Sequence, residues 1–157
     1  MKRKKTRWQG GILRRNHMTR AEEYLRKYEW AVNQIRRCED EYKEELLQID
    51  AIRSSSDNDG MPHGSGISKP TEDKAEKLSD KAMRLVDAKL EAVKVRQEVF
   101  DTIMEVGGFE ADVLIERYVN LKTWECVCLS VNYTWPTVRM AWHRGLDKVE
   151  EIISSTK

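Results

Sequence analysis

Glycine and proline are scarce, with eight and three in 157 residues. So little turn-forming material beside 35% charged residues suits long solvated helices better than a thick globular core. Cysteine is scarce too. Cys38, Cys126 and Cys128 are odd in number and fit no disulfide framework, which points to a reducing compartment. Cys126 and Cys128 lie ~200° apart around a helix, so they cannot grip one metal together. No apolar run approaches the ~20 residues of a membrane span, and Gly10–Arg14 is too short for a signal-peptide core. A net charge of +1 excludes indiscriminate electrostatic binding of nucleic acid by the whole chain. Catalysis lacks its parts. The carboxylates sit mostly four residues from a base, as helix-surface ion pairs do, and no Ser or Cys has a His at a nucleophile's spacing. The reading is therefore no enzyme, no metal and no cofactor.

The basic residues gather at the start. Residues 1–20 hold eight Lys or Arg (2, 3, 4, 5, 7, 14, 15 and 20) and no acid. Residues 1–17 show no hydrophobic period and read as a disordered basic extension. One role for it is an arm on DNA phosphates. The other reading makes Met18 the start, because Thr19 to Glu22 forms a capping-box pattern directly after it. A long helix is expected over 19–53, with a heptad series at Ala21, Tyr28, Ile35, Tyr42 and Ile49. Residues 54–70 are turn formers and read as a flexible loop. The loop's Gly64-Ser65-Gly66 has no preceding strand and no correctly placed lysine, so it is no phosphate loop. A second long helix is expected over 71–106, from Pro70 and Thr71 to Gly107 and Gly108. Its expected inward stripe is Ala75, Leu78, Ala82, Leu85, Val86, Leu90, Val93, Val99, Phe100, Ile103 and Met104. Two matched amphipathic helices predict a long antiparallel helical hairpin, coiled-coil-like, whose wide stripes also favour a homodimer through the long helices. The expected organisation is a basic extension at 1–17, the hairpin at 18–108 and a small C-terminal domain at 109–157, all-α throughout.

That last domain carries the most informative stretch, Thr123 to Leu146. Thr123 can cap a helix with Val127 and Cys128 inward. Asn132 stands where a tight turn needs a left-handed residue. Thr134 can cap a second helix with Pro136 in its first turn, and Val138, Trp142, Leu146 and Val149 share its inner face. A third, shorter helix over 109–122 supports the pair through Val113, Leu114, Tyr118 and Val119. The arrangement reads as a helix-turn-helix.

Arg117-Tyr118, Thr123-Trp124-Glu125, Tyr133-Thr134, Val138, His143 and Leu146 carry a closer likeness. The stretch resembles the helix-turn-helix of sigma-70 region 4. More closely, it resembles the small phage and prophage regulators of late transcription grouped as ArpU- or RinA-like. Cys128 stands for that group's usual Ala, Asn132 for Gly and Gly145 for Ala. Upstream, Gly60 to Gly66 followed by Pro70-Thr71 is similar to a loop signature of the same group.

The resemblance implies a DNA-binding transcription regulator acting on late genes in the cytoplasm of a bacterial host, with double-stranded DNA and RNA polymerase as partners. Two other classes stand beside it: a DNA-recognition subunit of phage packaging, similar to small terminase subunits, and an adaptor that docks RNA polymerase. In the helix-turn-helix reading, Trp135, Pro136, Thr137, Arg139, Met140 and His143 face the major groove. Arg139 reads a base, and Lys122, Thr123, Thr134 and Arg144 hold phosphates.

Overall fold

A computed structural model describes residues 18–56 and 69–155. The basic extension, most of the expected loop and His63 lie outside these residues. Every described element is helical: α1 (Arg20–Leu25), α2 (Lys27–Ser56), α3 (Lys69–Val106), α4 (Gly108–Leu114), a π-helical turn (Ile115–Val119), α5 (Trp124–Val131) and α6 (Trp135–Ser155). None of the described helices is long and apolar enough to cross a membrane.

The single first helix expected over 19–53 is divided at Arg26. Thr19 caps α1 by accepting from the Glu22 backbone N–H at 3.2 Å. The Ala21 N–H then donates to Glu150 Oε2 on α6 at 2.8 Å, and Ala21 and Leu25 are buried with Leu146 and Val149. This short helix belongs to the packing of the C-terminal helices. The chain breaks where it leaves them to follow α3.

α2 and α3 pack along one another. Lys27 pairs with Glu98 at 3.2 Å, Glu39 with Lys89 at 3.1 Å and Glu45 with Lys81 at 2.8 Å, so positions rise along one helix as they fall along the other. On α2 the packed side runs through Ala31, Ile35, Cys38, Tyr42, Glu45 and Ile49, alternating steps of three and four. On α3 it runs through Leu78, Lys81, Leu85, Ala88, Ala92, Val95 and Val99. Five members of the expected α3 stripe are off the packed side: Ala75 is exposed, and Val86, Leu90, Val93 and Met104 are 55%, 57%, 67% and 55% exposed. The contact with α2 mixes Leu78, Leu85, Val95 and Val99 with two alanines and one lysine. Ala88 and Ala92 let the helices approach closely, and Lys81 donates to the buried Glu45 carboxylate, so bulk alone does not mark the seam. α3 also begins slightly early, with Pro70 in its first turn, where the missing N–H has no partner to lose.

Gly107 and Gly108, at φ +65° and +67°, turn the chain from α3 into α4. The expected helix over 109–122 is shorter and changes type. At residue 115 it widens into a π turn, with Asn120 N–H on the Ile115 carbonyl at 2.9 Å, and Leu121 at φ +53° ends it. Two buried clusters result. One joins α1, α3, α4 and α6 through Leu25, Val99, Ile103, Leu114 and Val149. The other joins α4, α5 and α6 through Val113, Val127, Val138 and Ala141. Trp142 packs against both.

Candidate nucleic-acid interface

The surface of interest is built by α5, the turn after it and the first half of α6. Thr123 caps α5, its hydroxyl accepting from the Cys126 N–H at 3.4 Å. Val127 is fully buried and Leu129 is 81% exposed. Asn132 closes the helix in the left-handed region at φ 57°, ψ 41°, and the Tyr133 N–H returns to the Cys128 carbonyl at 3.1 Å. Asn adopts this conformation at lower cost than other non-glycine residues. α6 opens with the Thr134 carbonyl accepting from the Val138 N–H at 3.1 Å, while the Thr134 hydroxyl sits 3.5 Å from that of Thr137.

Val138, Ala141, Gly145, Leu146 and Val149 form the inner side of α6. Opposite them, Pro136, Arg139, Met140 and His143 fall within an arc of ~100° on the exposed side. Thr137 and Arg144 flank that arc and are exposed as well. Arg139 and Arg144 make no ion pair among the described residues.

Aromatic rings brace this surface from below. Trp124 meets Trp135 edge-on at 5.2 Å and Trp142 at 5.0 Å, and the Arg117 guanidinium lies 5.1 Å from the Trp124 ring centre. Trp135 is anchored at one side and 41% exposed at the other. The Trp142 indole N–H donates to the Tyr118 hydroxyl at 3.1 Å. Burial pushes the Tyr118 phenol up to about 12, against the lowering effect of that bond. The His143 ring lies tilted on Trp142 at 4.6 Å.

Two residues expected to hold phosphates are engaged within the protein. Lys122 ion-pairs with Glu116 and donates to the Ser130 hydroxyl at 2.8 Å. The hydrogen bond from Lys122 leads in holding the Glu116 carboxyl below the usual carboxylate range, and Asn120 and Ser130 assist. At the start of α5, Glu125 bonds to its own backbone N–H and to Thr123, and both hold its carboxyl low. A phosphate arriving at Thr123 would meet that negative charge. The groups brought together on the open side are thus Trp135, Pro136, Thr137, Arg139, Met140, His143 and Arg144, with Thr134 at their edge.

Exposed Leu129 and Tyr133 belong to the same helix-turn-helix surface and were not among the expected DNA contacts. Helical spacing gives the signal for Leu129, since Val127 and Cys128 point inward and the next residue must turn away. Tyr133 gives none, because its ring rests on Phe109 at 4.7 Å, a contact between distant parts of the chain. No group of three or more metal-ligating side chains occurs among the described residues. Comparison with protein-family models, with curated proteins and with solved structures finds no match to the chain.

Proposed function

We propose that this chain is a DNA-binding transcription regulator of phage or prophage type, in which α2 and α3 form a coiled-coil-like hairpin and α5 and α6 form a sigma-70 region 4-like helix-turn-helix. The observation that carries the reading is the left-handed Asn132 joining a Thr-capped α5 to α6, which buries Val138 and leaves Arg139, about 100° further round, exposed. A second helix set off this way can lay its N-terminal half in a major groove. Arg139 then reaches a guanine edge with both arms of its guanidinium. Met140 and Trp135 offer apolar contact to thymine methyls, and Arg144 holds a backbone phosphate. Two free arginines make a weak reader alone, so the protein acts as a pair of copies.

A second reading draws on the exposed Leu129, Tyr133, Trp135 and Met140. Exposed aromatic and Met side chains beside an Arg are the composition of a protein-binding surface, and they favour the RNA-polymerase adaptor. Enrichment of random DNA duplexes on the purified protein separates the two. A regulator yields a consensus site. If no sequence enriches and the protein co-purifies with bacterial RNA polymerase holoenzyme through Trp135 and Met140, the adaptor reading replaces it.

A further inference from the structure

The largest unexplained feature lies on α3. Met83, Val86, Leu90 and Val93 are 64%, 55%, 57% and 67% exposed on a helix whose neighbours are mostly charged. Their spacing is three, four, three. It continues through Gln97 and the half-buried Phe100 to Met104, which is 55% exposed. This is a second heptad seam, ~160° around α3 from the side packed on α2. The C-terminal packing reaches α3 at Val99, Phe100, Ile103 and Val106, and leaves Met83, Val86, Leu90 and Val93 exposed.

We infer that this outer seam of α3 is the contact between two copies of the chain, pairing α3 with α3 of the partner, parallel and in register. The inference names the surface for the paired state proposed above. The three-four spacing fits only another helix, and the charges beside the seam choose which helix and which direction. In a parallel in-register pair, Arg96 lies opposite Asp101 of the second copy, twice by symmetry. Lys89 lies opposite Lys94 of the second copy, but each already has a carboxylate partner: Glu39 at 3.1 Å and Glu91 at 4.0 Å. Antiparallel pairings set more like than opposite charges against each other. With Leu90 against Val93, Lys89 faces Arg96 and Asp80 faces Asp101, against one favourable pair, Asp87 with Lys94. With Leu90 against Val86, Asp87 and Lys89 each face themselves. The polar layer is compatible with this direction: Gln97, whose amide donates to Asp101 of its own chain at 2.7 Å, meets Gln97 of the second copy in the parallel in-register pair.

The seam spans 22 positions from Met83 to Met104, ~33 Å of helix, and its face is narrow. It falls short of the ~800 Å² per partner of a standard interface, so the pair dissociates in the micromolar range. Sedimentation equilibrium of the full chain from 1 to 200 µM tests it. Wild type should approach the dimer mass. Leu90→Glu and Val93→Glu should raise the dissociation constant at least tenfold with unchanged helical circular dichroism. Leu47→Glu, at a position 69% exposed on α2 away from the seam, should leave it unchanged. A wild-type monomer at 200 µM, or a dimer that survives both seam variants, overturns the inference. Direction is tested with Met83→Cys in a Cys126→Ser, Cys128→Ala background. In the parallel pair the two introduced thiols are adjacent and oxidise to a covalent dimer. In an antiparallel pair with Leu90 against Val93 they are ~25 Å apart, and a dimer that does not cross-link overturns the parallel arrangement. None of these readouts involves DNA, so failure of the seam and failure of the DNA-binding reading register separately.

Discussion

The indole N–H of Trp142 donates to the hydroxyl of Tyr118 across 3.1 Å, joining α6 to the π-helical turn 24 residues earlier. Trp142 also packs against both buried clusters and edge-on against Trp124. Trp142→Ala should cost ~3 kcal/mol or more and unfold the C-terminal helices. α2 and α3 should survive, so the helical signal would fall only in part. Trp142→Phe keeps an aromatic ring but loses the donor and part of the indole's packing, and should cost less than Trp142→Ala, about 1–3 kcal/mol. Urea unfolding followed by tryptophan fluorescence and circular dichroism separates the two cases. A Trp142→Ala chain of wild-type stability would mean that α6 is rotated from the orientation described.

Gly145 faces the fully buried Leu114, and a Cβ at that position would stand 2.9 Å from Leu114 Cδ1. Ala is intrinsically favoured over Gly in a helix by ~1 kcal/mol, while overpacking a core costs ~1–3 kcal/mol. Gly145→Ala should therefore lower stability on balance, by about 1 kcal/mol. Adding Leu114→Val should recover part of the loss rather than deepen it. Additive losses in thermal unfolding would show that α4 and α6 can move apart freely.

The Glu45 carboxylate is buried between α2 and α3 and accepts from Lys81 at 2.8 Å. That bond leads in holding its carboxyl below the usual carboxylate range. A carboxyl lowered on folding stabilises the fold above its unfolded pKa and ceases to do so as pH falls through the lowered value. The melting-temperature advantage of wild type over Lys81→Met should accordingly be full at pH 6 and shrink steadily below about pH 4.5. Replacing both partners, Glu45→Leu with Lys81→Leu, should equal or exceed wild type at pH 7, because an apolar pair avoids the desolvation of two charges. A pH-independent gap would remove the ion pair as its cause.

Arg139 and Lys148 make a matched comparison on α6. Arg139 lies about 100° from the buried Val138, near the helix start. Lys148 is nine residues on, ~13 Å along the axis, and its ammonium is 3.7 Å from Glu110. Arg139→Ala should weaken binding to an enriched site by ~1–3 kcal/mol and affect random DNA far less. Lys148→Ala should change both little and equally. Equal losses for the two variants on specific and random duplexes would take base reading away from α6.

Much of the candidate interface is legible in the residues themselves, because its rules are local. A Thr three residues before a free N–H can cap a helix, as Thr123 does for α5, whereas the Thr134 hydroxyl at the start of α6 sits against that of Thr137. Asn accepts the left-handed conformation, and Val138, Leu146 and Val149 share a side of α6 by spacing alone. The same rules misjudge Lys122. Nothing within a turn of it shows that Glu116, across the π turn, will take its charge.

The sequence by itself determined that the chain is helical, where most of its helices begin and end, and which side of α6 is apolar, since propensity, caps and periodicity act within a turn or two. Tertiary structure alone decided which side of α3 meets α2. Both sides carry three-four apolar spacing. The side with Ala88 and Ala92 faces α2 because small residues allow the closest approach and because Lys81 there meets Glu45. The break at Arg26 has the same origin. α1 is held by Glu150 of α6, 129 residues away from the Ala21 N–H it receives, and no local pattern encodes a contact at that separation.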